Sequence, residues 1–413
     1  MAVLRHLDSP LDGLLRRAAE RFADRPALTT AEGTLTFAEL DREADRIALG
    51  IRRTARRADA AVVAACTLDA VFPAVYFGAV RSGLVLALAD PAAGPEAVRD
   101  ICAAAGAEIA FLPAAAAGPL AGSEARPSGL HTVVCTDTAA AGGGGSVPLK
   151  VLLDAGAGPA LPPAFKDADA VVCVQRVAHA TAGVRELRLS HRHLLANAAQ
   201  AAIAHRLDAD SVVVNHMQAY HPSLLAAAVH AGAEQVLVAD PDPCAGMTVG
   251  RRLRATHYYG FPARLARLTD DERFATHGEF PPTGHLRAVF SEGTALEPGI
   301  ARRLRDTLRV PVLQGYGVGA LSALSHAQAP GSLPERGAVG APLPGTECRV
   351  VDPVSRVPAP VWSDGEVEIR GPQVPSGHPE GWLATGDVGY LDLDGGLHLV
   401  TRKAPAPRTP ALV

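Results

Sequence analysis

The chain has 413 residues, 48% of them hydrophobic, enough for a large buried core divided over two or three domains or subdomains. Its formal charge is −4, from 39 basic and 43 acidic residues, so no global field favours nucleic acid or an anionic membrane. Six scattered cysteines without a C-x-x-C pair predict reduced core thiols; with no apolar leader and no run of about 18 apolar residues, a cytoplasmic chain outside the bilayer is expected.

In chain order, Leu11–Phe22 has the apolar face of an amphipathic helix, Pro26–Thr30 and Leu35–Phe37 read as strands, and Thr36 is placed to cap the helix that follows. The strand Ala60–Ala64, helix Phe72–Gly83 and strand Leu84–Leu88 form a β-α-β unit, continued by helix Val98–Ala105 and strand Ile109–Leu112. Such alternation predicts a parallel, doubly wound sheet with right-handed crossovers. Residues 113–129 and 139–164, rich in Ala, Gly and Pro, read as flexible surface connections.

Ala170–Val174 reads as a buried strand that leads into a small-residue loop, a brief strand near Leu187–Leu189 and a helix capped by Ser190. That layout serves either a phosphate-wrapping loop or an ordinary strand-to-strand turn. A second alternating block follows: strand Ser211–Asn215, helix Ser223–Gly232 ended by glycine, and strand Gln235–Ala239. Past residue 335, short strands between Gly and Pro turns predict a small β-barrel-like subdomain.

With these pieces quoted, the chain resembles the adenylate-forming superfamily of acyl- and aryl-CoA synthetases, adenylation domains and luciferases. Members activate a carboxylate with ATP, giving acyl-AMP and pyrophosphate, and pass the acyl group to a thiol. Their phosphate loop reads Y-T-S-G-[ST]-T-G-x-P-K-G, against which Arg176–Glu186 keeps Thr181 and puts Arg185 at the lysine. His179 and Ala182 replace glycines, whose lack of a side chain permits close approach to phosphate. The chain has only three lysines, Lys150, Lys166 and Lys403.

The resemblance implies further roles. Tyr220-His221 matches the aromatic-His pair that walls the acyl pocket, with His221 the candidate catalytic side chain and a structural histidine the alternative. Amino-acid-activating members carry aspartate there, so an acyl or aryl acid is expected. Ser291–Leu296 resembles S-G-G-A-P-L, with Gly293 beside adenine and Glu292 replacing the first glycine. Gln314–Gly317 matches the start of Q-G-Y-G-x-T-E, implying that Tyr316 stacks on adenine, a packed core ring being the alternative. Gly319 and Ala320 stand where the family has threonine and the Mg²⁺-binding glutamate; a methyl group cannot ligate a hard cation, so Mg²⁺ and any other metal are not expected. Gly381–Asp387 matches the G-W-x-x-T-G-D signature, implying that Asp387 accepts from both ribose hydroxyls, and Arg402 matches the second ribose ligand.

The expected fold is therefore α/β: two doubly wound, mostly parallel sheets with flanking helices plus the β-rich subdomain, divided at 1–190, 191–335, 336–402 and an extended tail at 403–413, without the family's C-terminal domain. The expected function is binding of a carboxylic acid or its thioester, with ATP, AMP or acyl-adenylate as the nucleotide and a carrier protein as the macromolecular partner. Adenylation is expected to be weak or absent. The other class is an active ATP-dependent ligase using Arg185 and a partner-supplied domain.

Overall fold

Thr36 closes a reciprocal cap on the helix Phe37–Thr54: its hydroxyl accepts from the Glu39 N–H (3.2 Å) and the Glu39 carboxylate accepts from the Thr36 N–H (2.8 Å). Ser190 and His193 repeat the device on the helix His191–Ala204. Both caps are local, so the sequence places them correctly. The computed structural model describes residues 7–122, 124, 126–137, 144–159, 164–165, 167–179, 183–275, 284–317, 324–333, 335–375 and 379–401.

The helix Gly13–Phe22 is followed by β1 (Pro26–Thr29) and β2 (Thr34–Thr36). A seven-stranded sheet follows, made of β3 (Ala61–Ala65), β4 (Val85–Ala89), β5 (Ala107–Leu112), β6 (Thr132–Cys135), β7 (Val147–Pro148), β8 (Val171–His179) and β9 (Gly183–Ser190). Its order is β7-β6-β5-β3-β4-β8-β9, parallel except for the β8–β9 hairpin. The second sheet is built on β10 (Val212–His216), β11 (Glu234–Leu237), β12 (His257–Gly260), β13 (Ala288–Ser291) and β14 (Val312–Gly317), all parallel. The N-terminal strands join this second sheet, with Leu28 of β1 opposite Gln235 of β11.

The β-rich part corrects the barrel expectation. The strands β15 (Leu324–Ala327), β16 (Ala338–Pro342), β17 (Glu347–Val351), β18 (Gly365–Arg370), β19 (Leu383–Leu391) and β20 (Leu397–Thr401) extend the second sheet antiparallel from β14, in the order β17-β18-β19-β20-β16-β15-β14. The end strand β17 pairs with β18 and, through the isolated bridge Val351–Pro358, with the segment just after it, so among the described residues the sheet stays open.

The connections at 113–129 and 139–164 also differ from expectation. Helices Ala114–Ala121 and Leu149–Ala155 form there, because alanine and leucine favour helix and Ala117, Leu120 and Leu152 find buried positions. The glycine run at 142–143 lies outside the described residues.

The largest buried cluster joins Leu28 and Leu237 of one sheet, Val62 and Leu86 of the other, and helices Phe37–Thr54, Val71–Ser82 and Pro222–Ala231. Inside it Arg81, 3% exposed, donates to Asp12 (3.2 Å), Asp41 (2.6 Å) and Asp45 (2.9 Å). Three carboxylates around one buried guanidinium tie the first three helices together. Among the described residues no helix is long and apolar enough to cross a membrane.

Candidate functional site

In the second sheet β11 lies on one side of β10 and β12 on the other. The strand order reverses there, and in open α/β sheets the crevice outside the carboxyl ends at such a reversal is where ligands bind. The register aligns those ends: His216 of β10 opposite Gly260, Gly260 opposite Ser291, and Ser291 opposite Gln314. The segments leaving this row carry Tyr220-His221, Phe261, Glu292-Gly293 and Gly315–Gly317, the stretches singled out in the sequence.

Gln314 organises the row. Its side-chain oxygen accepts from the Leu296 N–H (2.7 Å), and its backbone N–H donates to the side chain of Gln328 (2.9 Å). Gly293 has φ +98°, and a Cβ there would stand 2.7 Å from the Phe261 ring, so glycine is required twice over. Two residues beyond Gln314, Tyr316 is 1% exposed; its ring packs with Val339, Ile369 and Leu397, and its carbonyl accepts from Ser325 (3.0 Å). Its phenol donates to Asp387 Oδ2 at 2.7 Å. Within β19 Asp387 is held in turn by Thr385, whose hydroxyl accepts from the Asp387 N–H (3.1 Å) and donates to the Val367 carbonyl (2.9 Å).

Comparison with known proteins gives the family. The AMP-binding enzyme family matches residues 15–378. The chain belongs to the AMP-binding enzyme family. Among relatives, it is 34% identical to oxalate–CoA ligase of Arabidopsis thaliana over 168 residues, which cover 37% of this chain and 31% of that protein's length. Against 4-coumarate–CoA ligase 1 of Narcissus pseudonarcissus it is 24% identical over 425 residues, covering 95% of this chain and 75% of the relative. Among solved structures, ATP-bound MatB from Rhodopseudomonas palustris superposes with a TM-score of 0.79 at 25% identity, over 95% of this chain and 78% of MatB.

The segment aligned with the AMP-binding family's phosphate loop is mostly strand. Residues pair in the β8–β9 ladder from Arg176↔Glu186 through Val177↔Arg185 to His179↔Gly183, leaving three residues, 180–182, between the strands. The flanking strands are thus longer than expected, and the residues between them lie outside the described ones, so both the phosphate-loop and the turn expectation stand there. The backbone of Arg185 is a strand position; Thr181, Ala182, Gly319, Ala320 and Arg402, with the tail from 403, lie outside the described residues.

Tyr220 is wholly buried; its ring lies 5.7 Å from that of Phe72 and its hydroxyl donates to Gln235 (2.7 Å). This is a core position, set by the Tyr220 N–H donating to the Cys66 carbonyl of the first sheet (2.9 Å). His221 is half-buried at the start of the helix Pro222–Ala231, with Nδ1 3.0 Å from Ser223 Oγ.

Residues that motif reasoning passed over are buried on the two faces of these same strands. His205 contacts the Tyr259 hydroxyl (2.7 Å), and its ring lies 4.3 Å from that of Phe290, which stacks on Tyr259 at 4.9 Å. On the opposite sheet face His216 contacts the Tyr258 hydroxyl (2.7 Å). The alternation of Tyr258 and Tyr259 was the available signal, since adjacent strand residues point to opposite faces. Burial drives His205 down to about 3 and His216 to about 4, so both imidazoles are neutral. Burial likewise lifts the Glu292 carboxyl to about 7.

Asp242, Cys244 and Asp271 also come together, but Arg273 donates to Asp242 (2.6 Å) and Asp271 (2.8 Å). That guanidinium already neutralises the carboxylates a metal would use.

Proposed function

We propose that this AMP-binding family member holds an adenosine nucleotide or acyl-adenylate together with a carboxylic acid or its thioester, and forms acyl-AMP slowly or not at all. The observation that carries this reading is the Tyr316–Asp387 hydrogen bond, which orients the carboxylate matched to ribose. A carboxylate accepting from both hydroxyls of a vicinal diol makes short, charge-assisted bonds. Adenine contact then falls to the backbone around Gly293 and Gly315–Gly317 rather than to the Tyr316 ring, with Arg402 the second ribose ligand.

The phosphate side supports the negative half of the reading. His179 and Ala182 stand where glycines would admit phosphate, and Ala320 where a carboxylate would bind Mg²⁺. Thr181 and Arg185 are the remaining phosphate-side groups. Removing one preorganised donor from such a site costs about 2.7–4 kcal/mol. Loop and metal ligand are separate losses, so even with non-additivity the deficit is several orders of magnitude. His221 and the helix it starts form the acid side, and the thioester form would reach it on a carrier protein in a cytoplasmic biosynthetic pathway.

The similarity to CoA ligases favours a second reading, an active ATP-dependent ligase with Arg185 in place of the loop lysine. Carboxylate-dependent exchange of pyrophosphate into ATP, run with Mg²⁺ across a panel of acyl and aryl acids, separates the two. Background exchange with every acid supports the first; robust exchange with any acid establishes the second.

A further inference from the structure

We propose that Glu292 is a specificity-determining residue that receives the far end of the acid, and that this end carries a protonated amine. The inference rests on the reading above that the crevice takes a carboxylic acid.

Glu292 is the first residue beyond β13, in the row where His216, Gly260, Ser291 and Gln314 end their strands. Its neighbours are Gly315, whose Cβ would lie 3.5 Å from Glu292 Oε1, and His205, whose Nε2 is 3.8 Å away. The carboxyl therefore sits on the sheet face shared by Phe290, Tyr259 and Leu224, the last from the helix that His221 begins.

Its side chain is 12% exposed, and Oε1 is shut off from water with no hydrogen-bond partner among the described residues. At 3.8 Å the His205 nitrogen is beyond hydrogen-bond reach, and a neutral imidazole offers no counter-charge. The two more deeply buried glutamates among the described residues are treated differently. Glu108 accepts from the Arg56 and Arg57 N–H groups and from the Arg57 side chain (2.9 Å), while Glu368 is paired with both Arg349 (2.6 Å) and Arg356. Leaving a buried carboxyl without partners is costly, and such groups cluster at binding sites.

The surroundings select the partner. A hard metal ion needs several oxygen ligands, and among the described residues no other carboxylate is paired with this one. Tyr259, close enough to feel the carboxyl's charge, and Phe290 are both buried, so an ammonium carried on an apolar stem suits those surroundings.

The test titrates the full chain by calorimetry, in the presence of AMP, with two matched pairs: 4-(aminomethyl)benzoate against 4-ethylbenzoate, and 6-aminohexanoate against heptanoate. The amine of at least one pair is expected to bind about tenfold tighter than its apolar match, with Glu292→Gln bringing the ratio to about one. Equal binding within both pairs, no binding of any acid, or a preference that survives Glu292→Gln overturns the proposal. Independently of ligand, Glu292→Leu is expected to melt a few degrees above the parent, because a buried unpaired carboxyl is gone; a lower midpoint would reveal a structural partner and overturn it. AMP titrated alone in the same samples judges the nucleotide reading separately, since its loss leaves the comparison of acids unaffected.

Discussion

Tyr316 and Asp387, 71 positions apart in the chain, meet through one hydrogen bond of 2.7 Å. It joins β14, the last parallel strand of the second sheet, to β19 of the antiparallel extension. The Tyr316 ring is packed in the core, so the role assigned to its phenol is to orient the carboxylate. Tyr316→Phe should keep the fold and weaken AMP binding roughly fivefold, the worth of about 1 kcal/mol. Asp387→Asn, which removes the charge, should weaken it further. Calorimetry with AMP reads both, and unchanged affinity in the two variants would remove Asp387 from the nucleotide site.

Gly293 is a backbone requirement. Gly293→Ala places a methyl at φ +98° and 2.7 Å from the Phe261 ring. A destabilisation of about 1–3 kcal/mol is expected from the dihedral alone, read as a lower urea midpoint. Adding Phe261→Ala should recover only the steric share.

Arg81 is the test of the helical layer. Arg81→Met leaves Asp12, Asp41 and Asp45 facing one another without their buried counter-charge. A loss of roughly 3–5 kcal/mol in unfolding free energy is expected, with Arg16 offsetting part of it through Asp41 and Asp45. A change below about 1 kcal/mol would show that the cluster contributes little to stability.

Stability should fall with acid in a defined window. Burial holds His205 and His326 near about 3 and His216 and His257 near about 4, against about 6.5 when unfolded. The unfolded chain binds more protons between those values, so these groups favour the native state fully above about pH 6.5 and lose that contribution as pH drops toward 4. At pH 5 the loss is on the order of 2 kcal/mol for each fully buried ring. Glu292, raised to about 7, acts oppositely: its cost is present above pH 7 and relieved as pH falls toward 4.5. One carboxyl does not offset four imidazoles, so melting midpoints should drop steadily from pH 7 to pH 5. Midpoints independent of pH in that range would show that these histidines are not buried neutral.

What the sequence made legible is what neighbours decide. Thr36 with Glu39, Ser190 with His193 and the left-handed Gly232 mark helix ends within a few residues, and the alternating blocks predicted two open sheets. The alanine-rich connections were misread because glycine and proline masked helix formers whose buried faces depend on distant partners such as Ala117 and Leu120. Strand pairing was least legible. Nothing local announces that β1 leaves its own half to pair with β11, that Arg176–His179 continue a ladder instead of opening a loop, or that β15–β20 extend a sheet without closing a barrel. At the site, motif matching found Tyr316 and Asp387 but not that one holds the other. It registered Glu292 as a missing glycine, since the absence of a partner for a buried carboxyl is visible only in three dimensions.

Calorimetric comparison of AMP with Mg-ATP on the same protein tests the central claim most directly. The account predicts that AMP binds at least as tightly as Mg-ATP and that omitting Mg²⁺ leaves ATP affinity unchanged. Mg-ATP binding tenfold or more tighter than AMP, with the gain lost on chelation, would contradict it.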